Sequence, residues 1–256
     1  FAPHMNERVQ RRLSMEQSLV KAIRKAQFSL VYQPQYDLRA PRVVGYEALL
    51  RWNDESLGEV PPATFVPLAE ETRLIESIGD WVLGQALSDA RRFPKDARLA
   101  VNVSALQLRD PKFPKRIEKL LTAHDFPATR LELELTESAT IADDETIVAV
   151  LFELRRMGVR IAVDDFGTGY ASLSYLRRLS VDMVKIDKSF IAGVGESPAD
   201  SAIVLGIMGM AHGLNLLALA EGVETEAQRA FLEVAGCDIA QGFLLGRPLP
   251  IDDLGL

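Results

Sequence analysis

Short apolar segments alternate with amphipathic segments along almost the whole chain, and this alternation restricts the possible folds more than any other feature. Apolar segments run from Ser29 to Tyr36 and from Arg42 to Trp52, and a last one runs from Asp238 to Phe243. The segment from Leu214 to Ala220 is nearly all apolar, which is typical of a strand covered on both faces. About eight such strands, mostly separated by helical patterns, predict a protein of the α/β class with a mainly parallel sheet closed into a (β/α)8 barrel.

The connection between the first two predicted strands is too short for a parallel pair. Only a turn near Ala40-Pro41 separates them, whereas a parallel crossover needs about a dozen residues or more. We therefore expect a modified TIM-like barrel with one antiparallel strand near the N-terminus.

The first segment of the chain reads as a helix that precedes the barrel. Its apolar residues lie at helical spacing, namely Val9, Leu13, Val20 and Ile23. We therefore expect an N-terminal linker helix in residues 1–26 and the barrel in residues 27–256.

Composition narrows the choice of partner and compartment. The net charge of −7 argues against a nucleic-acid polymer as partner, because such proteins present basic surfaces. A small phosphate ligand stays possible, since metal ions can reverse the sign of an acidic pocket.

The single cysteine, Cys237, cannot form an internal disulfide, and neither a signal peptide nor a membrane-spanning run is visible. We expect a cytoplasmic domain; the chain starts without Met, so its parent can be longer and can carry a membrane anchor.

Polar residues recur where the apolar strands end, and the carboxyl ends of parallel strands meet at one mouth of a barrel. The residues at these ends are Glu47, Asn102, Glu132, Glu134, Glu137, Asp164, Asp165, Lys185, Glu221 and Gln241. Clustered carboxylates resist ionising together unless cations neutralise them. Oxygen ligands select Mg²⁺ or Mn²⁺ over zinc, and the adjacent aspartates suit two ions about 4 Å apart, as used for in-line attack on phosphate.

Each of these residues also has a purely structural interpretation. A carboxylate at a strand end can be solvated or can cap a helix, and Asp164-Asp165 fits a turn followed by an N-cap. Lys185 can be a salt-bridge partner, and Glu134 can face solvent because it alternates with leucines. The repetition of polar residues at one end of successive strands favours a functional site.

The motifs at these strand ends closely resemble those of the EAL-domain phosphodiesterases of bacterial cyclic di-GMP signalling. The matching segments cover roughly residues 28 to 250 and follow one another in order: Tyr32-Gln33-Pro34, Glu47-Ala48-Leu49-Leu50-Arg51-Trp52, Asn102-Val103-Ser104, Glu134-Leu135-Thr136-Glu137, Asp164-Asp165-Phe166-Gly167-Thr168-Gly169, Lys185-Ile186-Asp187, Ala220-Glu221-Gly222-Val223-Glu224-Thr225 and Gln241-Gly242-Phe243. Departures from the family pattern are few: Gln35-Tyr36 stands where aliphatic residues are usual, and Arg73 stands where glycine is usual.

The resemblance implies a role for each matched position. It implies two divalent metal ions, Mg²⁺ or Mn²⁺, held by Glu47, Asn102, Glu134, Asp164, Asp165 and Glu221. It implies that Lys185 orients and helps to deprotonate the attacking water, and that Glu137 holds the loop after the strand that carries the two aspartates. It implies substrate contacts from Gln33, Arg51, Asp187, Glu224 and Gln241.

The implied reaction is hydrolysis of cyclic di-GMP to linear pGpG. The alternative within the family is a catalytically weak domain that only binds cyclic di-GMP. A Schiff-base lyase that uses Lys185 is a third interpretation, which the crowd of carboxylates disfavours because they keep the amine protonated. The resemblance further implies a homodimer through residues 166–173 and an upstream GGDEF or sensory domain in the parent protein.

Overall fold

The computed structural model describes residues 3–25, 27–137, 144–168, 178–179 and 181–256, with side chains from residue 12 onward. It contains one sheet with nine strands. These are β1 Phe28–Asp37, β2 Arg42–Asp54, β3 Gly58–Val60, β4 Arg98–Asn102, β5 Leu131–Thr136, β6 Arg160–Phe166, β7 Met183–Ile186, β8 Leu217–Ala220 and β9 Ile239–Ala240.

Eight of these strands close into a barrel. They follow the order β1-β9-β8-β7-β6-β5-β4-β2, and pairing between β1 and β2 closes the ring, while β3 extends β2 outside it. All neighbours from β2 through β4 to β9 are parallel, whereas β1 is antiparallel to both β2 and β9. The prediction of a modified barrel with one reversed strand near the N-terminus is confirmed.

Helices lie between most of the strands. Their bounds are Pro3–Arg24, Pro62–Glu71, Leu74–Asp89, Ala105–Leu108, Phe113–Ala123, Glu145–Arg156, Lys188–Ile191, Pro198–Gly213 and Glu226–Ala235. Several begin at the capping residues that the sequence offers: Ser197 and Thr225 accept hydrogen bonds from the backbone of their first turns. No helix in the part of the chain that the structure describes combines the length and the apolar composition needed to cross a bilayer.

The core has two parts. Outward-facing strand residues pack against the helices, as Leu99, Val101 and Leu133 do with no exposed surface. A smaller apolar cluster lies apart from this layer and consists of Val44, Ala162, Met183, Leu219 and Ile239. The N-terminal helix joins the main core through Leu19 and Ala22, which are fully buried.

One predicted helix is two helices in the structure. The segment from Phe65 to Arg91 reads as continuous in sequence, but the chain breaks between Glu71 and Leu74. Arg73 adopts a left-handed backbone with φ of 59°, a conformation that a helix interior excludes. The helical spacing of apolar residues does not by itself reveal a break at a single residue.

The loop that follows β9 crosses the loop that follows β8 at backbone contact. A Cβ on Gly242 would lie 2.1 Å from the carbonyl oxygen of Val223, so only glycine fits without a backbone shift. We expect Gly242→Ala to lower the free energy of unfolding by about 3 kcal/mol, because overpacking against rigid backbone is costly. Urea unfolding measures this change, and Gly84→Ala is the matched control, since a Cβ there meets open space. Equal stability of the two variants would contradict this account.

Candidate functional site

The barrel gathers the predicted acidic residues because its pairing register aligns the strand ends. Asn102 on β4 pairs with Glu134 on β5, and Thr136 on β5 pairs with Asp164 on β6. Side chains alternate along a strand, so Glu134 points into the barrel while Leu133 and Leu135 face the helices. Glu134 has no exposed surface, and the solvent-facing interpretation of this residue is wrong.

Lys185 lies at the centre of the acidic set and is fully buried. Its ammonium nitrogen lies 2.7 Å from Glu134 Oε2 and 2.8 Å from Glu221 Oε1. The same nitrogen lies 3.1 Å from Asp164 Oδ1 and 3.6 Å from Glu47 Oε2. Side chains from four strands or their ends, β2, β5, β6 and β8, thus surround the one ammonium group that β7 carries.

Two side-chain amides hold Glu47 in place. Asn102 Nδ2 donates to Glu47 Oε1 at 2.7 Å, and Gln241 Nε2 donates to Glu47 Oε2 at 2.6 Å. Gln241 also donates to Gln33 Oε1 at 3.0 Å, and Gln33 in turn donates to the Gly246 carbonyl at 3.0 Å. Both carboxylate oxygens of Glu47 therefore accept hydrogen bonds from the protein itself.

An irregularity in β6 allows both aspartates to reach the mouth. Consecutive strand residues normally point to opposite faces, but the register between β6 and β7 shifts between Val163 and Phe166. Asp165 adopts a left-handed backbone with φ of 55°, and its amide donates to Asp164 Oδ1 at 3.0 Å. This bulge turns Asp165 toward the side on which Asp164 lies.

The carboxylates form two groups that share one member. Glu47, Glu134 and Asp164 each offer an oxygen within 4.8 Å of the others, and so do Asp164, Asp165 and Glu221. An arrangement of two acidic groups joined at Asp164 fits a pair of hard divalent cations, because such ions take oxygen ligands. Glu134 Oε1 is buried and makes no hydrogen bond within the described residues, which leaves a lone pair for a metal ion.

The electrostatics of the pocket agree with a site built for cations. Burial and the neighbouring Glu47 raise the pKa of Glu134 well above its usual range. Burial also raises the pKa of Glu221 to about 7. Burial alone would lower the pKa of Lys185, but the four surrounding carboxylates raise it well above the usual value. Added positive charge would favour the ionised forms of Glu134 and Glu221.

Glu137 holds the loop that follows β6. Its Oε2 accepts a hydrogen bond of 2.9 Å from the Gly167 amide, two residues beyond Asp165. Gly167 has φ of 98°, and a Cβ on it would lie 2.9 Å from Phe190. Of the predicted dimer segment 166–173, residues 169–173 lie outside the described residues.

Removing this anchor should loosen the aspartate pair. We expect Glu137→Ala to weaken Mn²⁺ binding by about 10- to 100-fold, because residues that orient metal ligands typically contribute that much. Titration calorimetry of the variant measures the effect. Glu137→Gln is the control, since its amide oxygen can still accept from Gly167, and it should bind Mn²⁺ more tightly than the alanine variant. Metal affinity unchanged by the alanine substitution would show that the anchor does not support the site.

Two of the five predicted substrate-contact residues, Gln33 and Gln241, belong to the hydrogen-bond network of Glu47, whereas the other three form no side-chain hydrogen bond or ion pair with the clustered carboxylates within the described residues. Arg51 is half-buried and donates to the Leu50 carbonyl at 2.9 Å. Asp187 caps the helix Lys188–Ile191 by accepting from the Ser189 amide at 3.0 Å. Glu224 is exposed. The contact of Arg51, Asp187 and Glu224 with a substrate therefore stays a prediction.

Ser104, two residues after Asn102, makes contacts that were not predicted from the sequence. Ser104 Oγ donates to Glu70 Oε1 at 2.6 Å, and Ser104 and Gln107 form a capping box at the start of the next helix. The Ser-x-x-Gln spacing from 104 to 107 was the available signal. The contact with Glu70, thirty-four residues away in the chain, had no signal in the sequence.

Comparison with known proteins places this geometry in a family. The profile of the EAL domain family matches residues 16–248. The chain is 42% identical over 258 residues to the bifunctional diguanylate cyclase/cyclic di-GMP phosphodiesterase MucR of Pseudomonas aeruginosa, covering 99% of this chain and 38% of that protein. It is 40% identical over 255 residues to the cyclic di-GMP phosphodiesterase PA2567 of the same organism, covering 97% of this chain and 43% of that protein.

Solved structures agree with the sequence comparison. The PaMucR phosphodiesterase in complex with c-di-GMP superposes with a TM-score of 0.89 at 42% identity, covering 94% of this chain and 99% of that one. The FimX EAL domain of Pseudomonas aeruginosa bound to c-di-GMP superposes with a TM-score of 0.84 at 27% identity, covering 92% and 96% of the two chains. The chain spans less than half the length of the curated relatives named above. By profile, sequence and fold together, this chain belongs to the EAL domain family.

Proposed function

We propose that this domain hydrolyses one phosphodiester bond of cyclic di-GMP and releases linear pGpG. The observation that carries the proposal is the gathering of Glu47, Glu134, Asp164 and Glu221 around Lys185 at one mouth of the barrel. The names of MucR and PA2567, both cyclic di-GMP phosphodiesterases, support the same substrate.

The donor set fits two divalent ions, Mg²⁺ or Mn²⁺. Glu47, Asn102, Glu134 and Asp164 would hold the first ion, and Asp164, Asp165 and Glu221 would hold the second. Such ions supply an activated water and stabilise negative charge on the phosphoryl oxygens. Asn102 takes part through its amide oxygen, because its nitrogen already donates to Glu47.

Lys185 orients the attacking water in this proposal. Its ammonium group carries three donors, and the four carboxylates around it keep it charged. A hydrogen bond from Lys185 can therefore aim a water oxygen at the phosphorus, which contributes through positioning.

Substrate contacts come from the rim of the mouth. Arg51 pairs with phosphate oxygens through its planar guanidinium group, while Gln33, Asp187 and Glu224 contact the rest of the dinucleotide. For Gln241 we propose a positioning role in addition to the substrate contact that the resemblance implies. Both of its amide hydrogens point to Gln33 and Glu47, so we propose that it positions Glu47.

The alternative is a domain that binds cyclic di-GMP without cleaving it. The two overlapping acidic groups disfavour this alternative, because a pure binding pocket for a dianion gains nothing from buried carboxylates. A Schiff-base lyase is disfavoured by the ion pairs of Lys185, since a protonated amine does not attack a carbonyl.

Product analysis separates these functions. Purified protein is incubated with cyclic di-GMP and either Mg²⁺ or Mn²⁺, and the nucleotides are resolved by chromatography. Formation of pGpG that requires metal supports the proposal. Recovery of intact cyclic di-GMP from a protein that binds it would establish the sensor instead.

We further propose that the parent protein carries a GGDEF or sensory module and acts as a homodimer through residues 166–173. The bifunctional name of MucR, of which this chain matches only 38%, supports the upstream module. The dimer rests on the family resemblance of residues 166–173. Sedimentation of the active domain tests the dimer. A strictly monomeric yet fully active domain would rule out coupling between dimer contacts and the metal site.

A further inference from the structure

The interior of the barrel below the acidic mouth is polar on one side. Gln35 on β1, Arg98 on β4 and Glu132 on β5 share the interior face with Gln33, Asn102 and Glu134 because they lie at even spacing from them. Gln35 is fully buried, Glu132 is 1% exposed and the Arg98 side chain is 15% exposed. The opposite side of this layer is apolar and includes Met183 and Leu219.

These three side chains are neighbours. A Cβ on Gly45 would lie 3.0 Å from Gln35 Oε1 and 3.3 Å from Arg98 Cβ, so both residues lie against the same glycine. Arg98 Nε lies 3.8 Å from Glu132 Oε2, too far for a good hydrogen bond. The group therefore forms one contiguous polar cluster, which we call the floor cluster.

The floor cluster leaves five buried polar atoms without a hydrogen bond among the described residues: Gln35 Oε1, Gln35 Nε2, Arg98 Nε, Arg98 Nη2 and Glu132 Oε1. Buried polar atoms in folded proteins almost always have partners, and an unmet donor or acceptor is costly. Five such atoms on three adjacent side chains indicate a shared ligand.

The chemistry of these atoms selects the ligand. Gln35 Nε2, Arg98 Nε and Arg98 Nη2 are donors, while Gln35 Oε1 and Glu132 Oε1 are acceptors. An anion such as chloride would satisfy only the donors, and a metal cation would satisfy only the acceptors and would be repelled by Arg98. Water both donates and accepts, and a buried water usually makes about three hydrogen bonds.

We propose that the floor cluster is a binding site for about two internal water molecules, the number that five unmet atoms require at about three bonds each. The waters complete the weak Arg98–Glu132 ion pair, which would otherwise be expensive to bury. Because Glu132 lies two residues before Glu134 on β5, this hydrated layer supports the strand that carries a candidate metal ligand. The proposal does not depend on the proposed reaction.

A crystal structure of the domain that resolves ordered water tests the site directly. We expect two density peaks within hydrogen-bond distance of Gln35, Arg98 and Glu132. Direct bonds between these side chains with no peak between them would overturn the proposal. So would an anomalous signal at this position from crystals grown in bromide or in Mn²⁺, because it would identify an ion.

Magnetic relaxation dispersion of water nuclei adds a solution measurement, because it counts water molecules with long residence times. Gln35→Leu should reduce that count by about one relative to the unmodified domain, since it removes two of the polar partners. Met183→Leu changes the apolar side of the same layer and should leave the count unchanged. An unchanged count in Gln35→Leu would refute the site, and if that variant does not fold, the crystal structure of the unmodified domain decides.

Discussion

Replacing Glu47 with alanine is expected to reduce the rate of pGpG formation by on the order of 10³-fold or more. Glu47 belongs to the first acidic group and is fixed by hydrogen bonds from Asn102 and Gln241. Loss of this ligand removes several kcal/mol of the charge stabilisation that a bound ion supplies to the phosphoryl group. The rate of pGpG release at saturating Mn²⁺ measures the effect, and calorimetry should show weaker Mn²⁺ binding in the same variant.

Glu59→Ala is the matched control for this prediction, because Glu59 lies on β3, outside the barrel ring, and is exposed. It should keep the full rate. Full activity in Glu47→Ala would refute the assignment of this carboxylate and, with it, the first metal position.

The second large effect is expected for Lys185→Met, which should lower the thermal stability of the domain strongly without metal and much less with metal. In chelator, four carboxylates lose their shared cation, and breaking a buried ion pair in this way costs about 3–5 kcal/mol. The thermal midpoint should fall by about 10 °C, given about 2–4 °C per kcal/mol for a domain of this size. Excess Mn²⁺ should restore most of the stability, because the metal ions neutralise the same carboxylates.

Turnover of this variant should nevertheless stay at least about 10²-fold below normal in excess Mn²⁺, since the water loses the donor that aims it. Scanning calorimetry and product chromatography on the same sample separate the two roles. Lys119→Met, an exposed substitution on the helix Phe113–Ala123, should change neither quantity. Turnover that recovers together with stability would assign Lys185 a structural role alone.

The sequence predicted the barrel because its strands carry a strong signal. Apolar runs predicted β5, β7 and β8 to within a few residues at each end, namely Leu131 to Leu135, Val181 to Ile186 and Leu214 to Ala220. The short turn at Ala40-Pro41 predicted the reversal of β1. The helix Phe113–Ala123 was not predicted from the sequence. Its apolar stripe of Phe113, Ile117 and Leu121 has ordinary helical spacing.

The sequence indicated which residues form the candidate site but not how they are arranged in space. Strand-end position identified Glu47, Glu134 and Asp164, because parallel strands bring such residues together. Asp165 is different: strict alternation would have sent it away from Asp164, and only the bulge in β6 returns it. A bulge depends on how two distant strands pair, so it has no local signature. The floor cluster escaped prediction because Gln35 and Arg98 meet across Gly45 of β2, which depends on the pairing register of three strands.

The reversed first strand determines at which end of the barrel the N-terminal helix leads into the domain. In a barrel of parallel strands the chain would enter at the end opposite the acidic mouth, but Phe28 of β1 pairs with Trp52 at the far end of β2, on the mouth side. The helix that ends at Arg24 therefore delivers the chain a few residues from the strand that carries Gln33. A displacement of that helix would therefore be transmitted first to the edge of the acidic pocket, without passing through the rest of the barrel.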